Sequence, residues 1–317
     1  MMNVLIVGAG SIGQLYGHML QRGGATVGVY VKPKYVNDAE QGYRLYNRKK
    51  GLDSPEHFAP EAVHTAPEEL EDADYDAAVL CIPSTALRGP WLSELTEALG
   101  DAAIVSLTPG LEDRDYIAQF VEEERLATGL ITAVSYPAPL PGETTDAPGT
   151  AYWLPPLTPA MFDGPDEHLR PLMKSLKSGG MSTRQVDNLA RLSAFGSGVL
   201  MPLVASLESV DWSMDTFKRS NDHRELFDNA CDEISTVIED HLGAKPPLPI
   251  RFIGKTTIKG ALMMAPIAAP FDLETYLQVH FTKVGEQTRQ FLETYIELRG
   301  ERDWDSPALR QLLESIE

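Results

Sequence analysis

From Asn3 to about Ser135, short apolar runs alternate with stretches of helical period. The run NVLIVG (3–8) reads as a buried strand ending in glycine, and SIGQLYGHMLQRGG (11–24) as a helix closed by Gly23 and Gly24. TVGVYV (26–31) predicts a second strand, and YDAAVLCI (75–82) a third, with Ser84 as the cap of the next helix. DAAIVSLTPG (101–110) predicts a fourth strand, then a turn and the helix LEDRDYIAQFVEEE (111–124). LATGLITAVSYPAPL (126–140) carries another strand. Strands alternating with helices make a parallel sheet with helices on both faces.

Between Pro137 and Pro171 proline is dense and the helical period is lost. Tyr152, Trp153 and Leu154 need burial, so this stretch predicts extended strands and turns rather than a flexible linker. EHLRPLMKSLKSGG (167–180) reads as a helix and MSTRQVDN (181–188) as a last short strand. From Leu189 onward the pattern is mostly helical, in four long segments, the last of them DLETYLQVHFTKVGEQTRQFLETYIELRG (272–300). The expected fold is therefore α/β: a Rossmann-type, doubly wound parallel sheet over residues 1–187, followed by an all-α domain over residues 188–317.

A net charge of −19, from 27 basic and 46 acidic residues, argues against binding to nucleic acid or to an anionic membrane. No window of 18 uninterrupted apolar residues exists, and the first residues lack the marks of a signal peptide, so a cytoplasmic protein without a membrane span is expected. Cys81 and Cys231 stand far apart in apolar segments and predict buried thiols; no spacing suggests a metal. The long apolar helices suit a homodimer, with a monomer left open.

Gly8, Gly10 and Gly13 form G-x-G-x-x-G directly after the first strand and at the start of a helix. That context is what a dinucleotide fingerprint requires. The first glycine permits the turn, the second admits the pyrophosphate and the third lets helix and strand pack closely. Backbone N–H groups near Ser11 and Ile12 favour the phosphate charge. At the end of the second strand, where NAD sites place a carboxylate for the ribose, the chain has Lys32 and Lys34. Cations there suit a 2′-phosphate, which points to NADP(H) over NAD, against the alternative that both lysines are solvated turn residues. The run Arg48, Lys49, Lys50 reads as a solvated loop.

In outline the whole chain resembles the ketopantoate reductase (2-dehydropantoate 2-reductase) family, on the strength of the glycine loop, Lys32 and the helical second half. The resemblance implies reduction of a small 2-oxo acid by NADPH. Lys32 falls where the family carries an Arg for the 2′-phosphate. Other positions depart from the family. Pro83 stands where it has a Lys, and Pro109-Gly110 where it has Asn-Gly. Registering the first helix of the second domain on Met201-Pro202-Leu203 puts Ser193 at the catalytic Lys and Ser197 at an Asn one turn on. Arg191 is near, but a guanidinium does not easily give up a proton. A Glu-x-Asp pair that opens the family's late helix appears with identities reversed, as Asp272 and Glu274, which equally reads as acidic capping.

Hydride reduction of a ketone needs a proton donor. Asp272, Tyr276, His280, Lys283 and Gln287 share one helical face, beside an apolar face with Leu277, Phe281 and Val284. The catalytic candidates are therefore His280, Lys283 and Asp272, against the alternative of a solvated stripe. Lys255, Thr256, Thr257 and Lys259 form a second polar cluster, and His18 reads as an interface or surface residue. Two other functions stay open: oxidoreduction of a carbon–nitrogen bond, where an iminium needs no added acid, and non-catalytic NADP(H) binding.

Overall fold

The structure is a computed structural model that describes residues 2–71, 73–108, 110, 112–283 and 285–316, without the side chains of Pro249 and Lys255. The chain divides into two compact units, Met1–Leu189 and Ala190–Glu317.

The first unit is built on a strand too apolar to face water on either side. In β1 (Asn3–Val7), Val4 and Ile6 enter one apolar core while Leu5 and Val7 enter another, as the two-residue period of a strand dictates. β1 lies between β2 (Thr26–Tyr30) and a later parallel strand, joined to β2 through α1 (Ser11–Arg22). The chain then makes α2 (Val36–Gln41), β3 (Tyr43–Asn47), β4 (Pro55–Phe58) and β5 (Ala62–His64). It returns to the other side of β1 as β6 (Ala77–Leu80), followed by α3 (Ser84–Leu87), α4 (Trp91–Ala98), β7 (Ala103–Ser106), α5 (Asp113–Ile117) and β8 (Leu126–Leu130). After β9 (Val134–Ala138) and β10 (Gly149–Trp153), the unit closes with β11 (Ala160–Asp163), α6 (Asp166–Gly179) and β12 (Thr183–Gln185).

Eight strands form the main sheet in the order β12-β11-β8-β7-β6-β1-β2-β5, parallel except where β11 meets β8. The strand order reverses about β1, so the carboxyl ends of β1 and β6 border the crevice where such sheets bind ligands. α1 and α6 cover one face; Leu92 and Leu95 of α4 and Ile117 of α5 pack into the core of the other. A second sheet, β4-β3-β10-β9, sends Tyr43, Leu45, Phe58 and Tyr152 into the core around Leu15, Tyr16 and Met19 of α1.

This second sheet is a departure from the sequence reading. β3 and β4 are short, and β4 begins with proline, so they leave little apolar signal; the short edge strand β5 of the main sheet leaves little for the same reason. The run 126–140 is two strands in different sheets, not one. Within the stretch read as the helix 111–124, of which Leu111 is outside the described residues, α5 has five residues and a 3-10 turn, Glu123–Arg125, follows later.

The second unit is helical. α7 (Leu189–Glu208), α8 (Met214–Arg219) and α9 (Asn221–Leu242) are followed by α10 (Leu248–Arg251) and α11 (Lys255–Ala268). α12 (Leu273–Lys283), α13 (Gly285–Gly300) and α14 (Pro307–Glu314) complete it. The stretch read as one late helix is thus α12 and α13, with Val284 outside the described residues. Val204 and Leu207 of α7, Phe217 of α8, Phe227 of α9 and Phe281 of α12 share one core. α7 is long and apolar enough to cross a membrane by length and composition alone. Its buried residues, among them Val204, Ala205 and Leu207, make it the core helix of this unit. Ser220 caps α9 by accepting from the His223 N–H, and Glu233 of α9 accepts from the Ala308 and Leu309 N–H groups at the start of α14.

Candidate cofactor site

The turn between β1 and α1 gives each glycine of the fingerprint a separate reason. Gly8 has φ +90°, a left-handed conformation, and a Cβ there would stand 2.7 Å from Ile82 Cγ2 and 3.0 Å from the Cys81 carbonyl oxygen. A Cβ at Gly13 would run into the Gly8 carbonyl oxygen, so α1 starts against the strand it leaves. Gly10 is different: it is exposed, and a Cβ there would meet nothing within 4 Å. Nothing among its neighbours in the protein demands glycine at this position, which is where the fingerprint keeps room for a pyrophosphate.

Gly10 is the N-cap of α1 and offers no side-chain cap, and the first turn has no acidic residue. Among the described residues, the N–H groups of Ser11, Ile12 and Gly13 donate to no protein acceptor, whereas Gln14 N already bonds Gly10 O at 2.9 Å. Free donors and the positive end of the helix together make an anion site. Gly8 N donates to Tyr30 O at 2.9 Å, which ties the turn to the end of β2. Lys32 follows two residues later and is exposed. Lys34 is exposed too, with its ammonium 4.8 Å from the centre of the Tyr35 ring.

Three side chains brace the turn, and none was singled out from sequence. Gln14 donates from Nε2 to Ala9 O at 2.8 Å and accepts at Oε1 from Thr150 Oγ1 at 2.5 Å. Ser135 Oγ donates to Ser11 O at 2.9 Å. The second sheet thereby holds the glycine turn, through residues more than 120 positions away in sequence. Gln14 lies next to the fingerprint and was open to notice; Ser135 and Thr150 carried no local signal.

A second brace joins the loops after β6 and β7. Asp113 is buried; its Oδ2 accepts from Ser84 Oγ at 2.5 Å and Gly110 N at 2.9 Å, and its Oδ1 from Arg88 at 2.8 Å. The Arg88 guanidinium also lies 4.4 Å from the centre of the Tyr116 ring. This corrects the reading of Ser84 as a helix cap: the cap position is Pro83, and the Ser84 hydroxyl is spent on Asp113. Pro109, read as standing in place of the family Asn, is outside the described residues.

Two further readings are corrected on the far side of α1. His18 is not on the surface: it is buried and bonds Glu56 Oε2 at 2.8 Å. Glu56 also accepts from Tyr152 at 2.7 Å and Lys50 at 2.7 Å. Burial opposes ionisation of Glu56, but the hydrogen bonds from Lys50, Tyr152 and His18 outweigh it and hold the pKa down at about 2. Burial pushes His18 below the usual imidazole range despite the carboxylate beside it. The run 48–50 is not a solvated loop throughout, since Arg48 is largely covered and pairs with Glu143 at 2.7 Å.

The glycine turn, with its open second glycine and free helix N–H groups, has the form of a dinucleotide site, and the comparisons agree. Residues 4–153 match the model of the family described as ketopantoate reductase PanE/ApbA. The first unit is a PanE/ApbA-family domain. The fold continues beyond the matched residues. A PanE/ApbA family ketopantoate reductase from Ralstonia eutropha JMP134 is 19% identical with a TM-score of 0.73, covering 99% of this chain and 97% of its own. The 2-dehydropantoate 2-reductase from Methylococcus capsulatus is 18% identical, TM-score 0.72, covering 99% and 95%. A D-mandelate dehydrogenase solved with NADH and anilino(oxo)acetate is 14% identical, TM-score 0.72, covering 99% and 97%. No curated protein matches the sequence.

Against the PanE/ApbA pattern, Ser193 and Ser197 stand half-buried on α7, and Arg191 is engaged with Lys245 O at 2.8 Å. Asp272 Oδ1 accepts from the Thr275 N–H at 2.7 Å as the cap of α12, and Glu274 accepts from Met214 N at 2.7 Å. His280 stacks on Tyr276, centroids 5.4 Å apart, and meets the Phe281 ring edge-on at 4.9 Å. Burial, then the neighbouring Lys283 charge, push its pKa below the usual imidazole range. Lys283 is exposed, and Asp272 is exposed about three turns away. In the 255–259 cluster, Thr257 accepts from Gly254 N at 2.8 Å and donates to Phe252 O at 2.7 Å, a capping role, while the Lys255 side chain is outside the described residues. Among the described residues no His, Cys, Asp or Glu cluster could hold a metal.

Proposed function

We propose that the protein is an NADPH-dependent reductase of a small 2-oxo acid or a related carbonyl compound. The observation that carries this reading is the glycine turn, where Gly8 and Gly13 are required by the protein and Gly10 is not, leaving open space in which a pyrophosphate would fit. NADP(H) rather than NAD(H) is favoured by exposed Lys32 after β2, where no carboxylate stands to take the ribose hydroxyls. The bound cofactor would supply the hydride. The chain would hold the pyrophosphate on the N–H groups of Ser11, Ile12 and Gly13 and the 2′-phosphate on Lys32, with Lys34 beside it.

The proton for the developing alkoxide is assigned to the α12 face. Of its candidates, Lys283 is a cation without an ion pair among the described residues; being exposed, it would have to be covered by substrate and cofactor to act as the donor. Burial lowers the His280 pKa, so a smaller share of its rings carries a proton to donate. Asp272 is occupied as a helix cap and would act through the placement of α12. The 2-oxo acid class is supported by the D-mandelate dehydrogenase, whose bound anilino(oxo)acetate is a 2-oxo acid derivative.

NADPH oxidation followed at 340 nm over a panel of 2-oxo acids and cyclic imines tests the reading. Turnover of an oxo acid, slowed roughly 100-fold or more by Lys283→Met with NADPH affinity retained, is expected. Turnover of imines alone would favour carbon–nitrogen chemistry, to which Ser193 in place of a cationic acid already points. Tight NADPH binding with no turnover would leave a sensing protein. The reading includes a cytoplasmic location, in keeping with two free cysteines. It also includes a homodimer, supported by Leu248, Phe252, Met263, Met264 and Ile267, all large, apolar and exposed on α10, α11 and the residues between them.

A further inference from the structure

We propose that the first unit has a second binding site, for a small organic polyanion, in a cleft of about 570 Å³ at the β8-β11-β12 end of the main sheet. The cleft shares no residue with the glycine turn or Lys32. Its walls come from the turn after β3, the segment between β8 and β9, the proline-rich loop 154–159, the end of α6 and the entry to β12.

The lining charge is one-sided. Lys49, Lys177 and Arg184 line the cleft and no Asp or Glu does, in a chain with 46 acidic residues against 27 basic. Several cations of this unit are paired, Arg48 with Glu143, Lys50 with Glu56 and Arg88 with Asp113. Among the described residues Lys49, Lys177 and Arg184 take no carboxylate partner. Lys177 is partly accounted for by the last turn of α6, where the helix dipole favours a cation. Lys49 and Arg184 have no such account; both are exposed, and an anion between the walls would meet them from two sides.

The polar neutral groups of the cleft are largely spent. Thr132 Oγ1 donates to Thr158 O, and Thr158 Oγ1 to Pro155 O. Thr183 Oγ1 donates to Met173 O. Recognition therefore falls to the three cations, which call for a ligand with two or more negative charges. Pro155, Leu157 and Met181 supply an apolar wall, and Leu157 is held fully exposed at φ 65°. Such a wall suits a carbon skeleton rather than a bare inorganic ion.

Isothermal titration of the full chain saturated with NADPH, using citrate, 3-phosphoglycerate and inorganic phosphate as probes, tests this. Saturable, salt-sensitive binding of citrate or 3-phosphoglycerate, with phosphate weaker, is expected; the better probe tells carboxylate from phosphate recognition. Lys49→Ala or Arg184→Ala should each weaken it roughly tenfold, and Lys177→Ala less, with NADPH affinity and melting temperature unchanged. Absence of binding by all three probes would overturn the site. Equal affinity for inorganic phosphate, or affinity unaltered when the three substitutions are combined, would do the same.

Discussion

At the glycine turn, identical residues serve different ends, and substitution separates them. A methyl at Gly13 collides with the Gly8 carbonyl oxygen, which is backbone and cannot swing aside. Gly13→Ala should therefore cost about 1–3 kcal/mol or more, seen as a lowered melting temperature without any cofactor present. A methyl at Gly10 meets nothing in the protein. Gly10→Ala should melt as the parent does and lose NADPH affinity, read by fluorescence titration. An unchanged affinity would mean that no pyrophosphate approaches there. Lys32 offers a second separation. Lys32→Glu exchanges attraction for repulsion at one point, so NADPH affinity should drop roughly tenfold or more while NADH affinity changes little. An equal fall for both cofactors would place the 2′-phosphate elsewhere.

Among elements, those buried on both faces were plain in the sequence. β1, β2, β6 and β7 are runs of apolar residues closed by glycine, proline or a polar residue, and such runs have few alternatives to a central parallel strand. The second sheet was not legible, because YRLYN and PEHF gain burial from α1 and β10, and β10 lies about a hundred residues on in sequence. The site divides in the same way. The fingerprint is local and can be read; the Asp113 brace joins positions 84, 88, 110 and 113, and only the pairing of β6 with β7 brings their loops together. Asp113→Ala strands the Gly110 N–H and the Arg88 charge at once. A loss of about 1–3 kcal/mol is expected, or several degrees in melting temperature. If melting is unaffected, the two loops are held by their apolar contacts and the brace is incidental.

Across the whole molecule, the stability of the first unit should depend on pH through Glu56. Its folded pKa of about 2 lies below the ordinary carboxylate value of 4.5, so the folded state binds the proton later than the unfolded chain does. The stabilisation from this group is complete above about pH 5, declines through pH 4.5 and is gone below pH 2. His18 acts in the same direction and sooner. Its folded pKa is pushed below 6.5, so the unfolded chain takes up a proton first and stability begins to fall once the pH drops past that value. A net charge of −19 works the other way, because acid relieves the repulsion among the other carboxylates. A melting curve of the parent alone would mix these effects. Glu56→Gln separates them, since general charge relief is nearly the same in both proteins. At pH 7 the variant should melt lower, because Gln presents one acceptor oxygen where Lys50, Tyr152 and His18 now find two carboxylate oxygens. The gap between parent and variant should narrow steadily from pH 5 towards pH 2. A gap that stays constant over that range would show that the carboxylate of Glu56 is not what ties α1 to the second sheet.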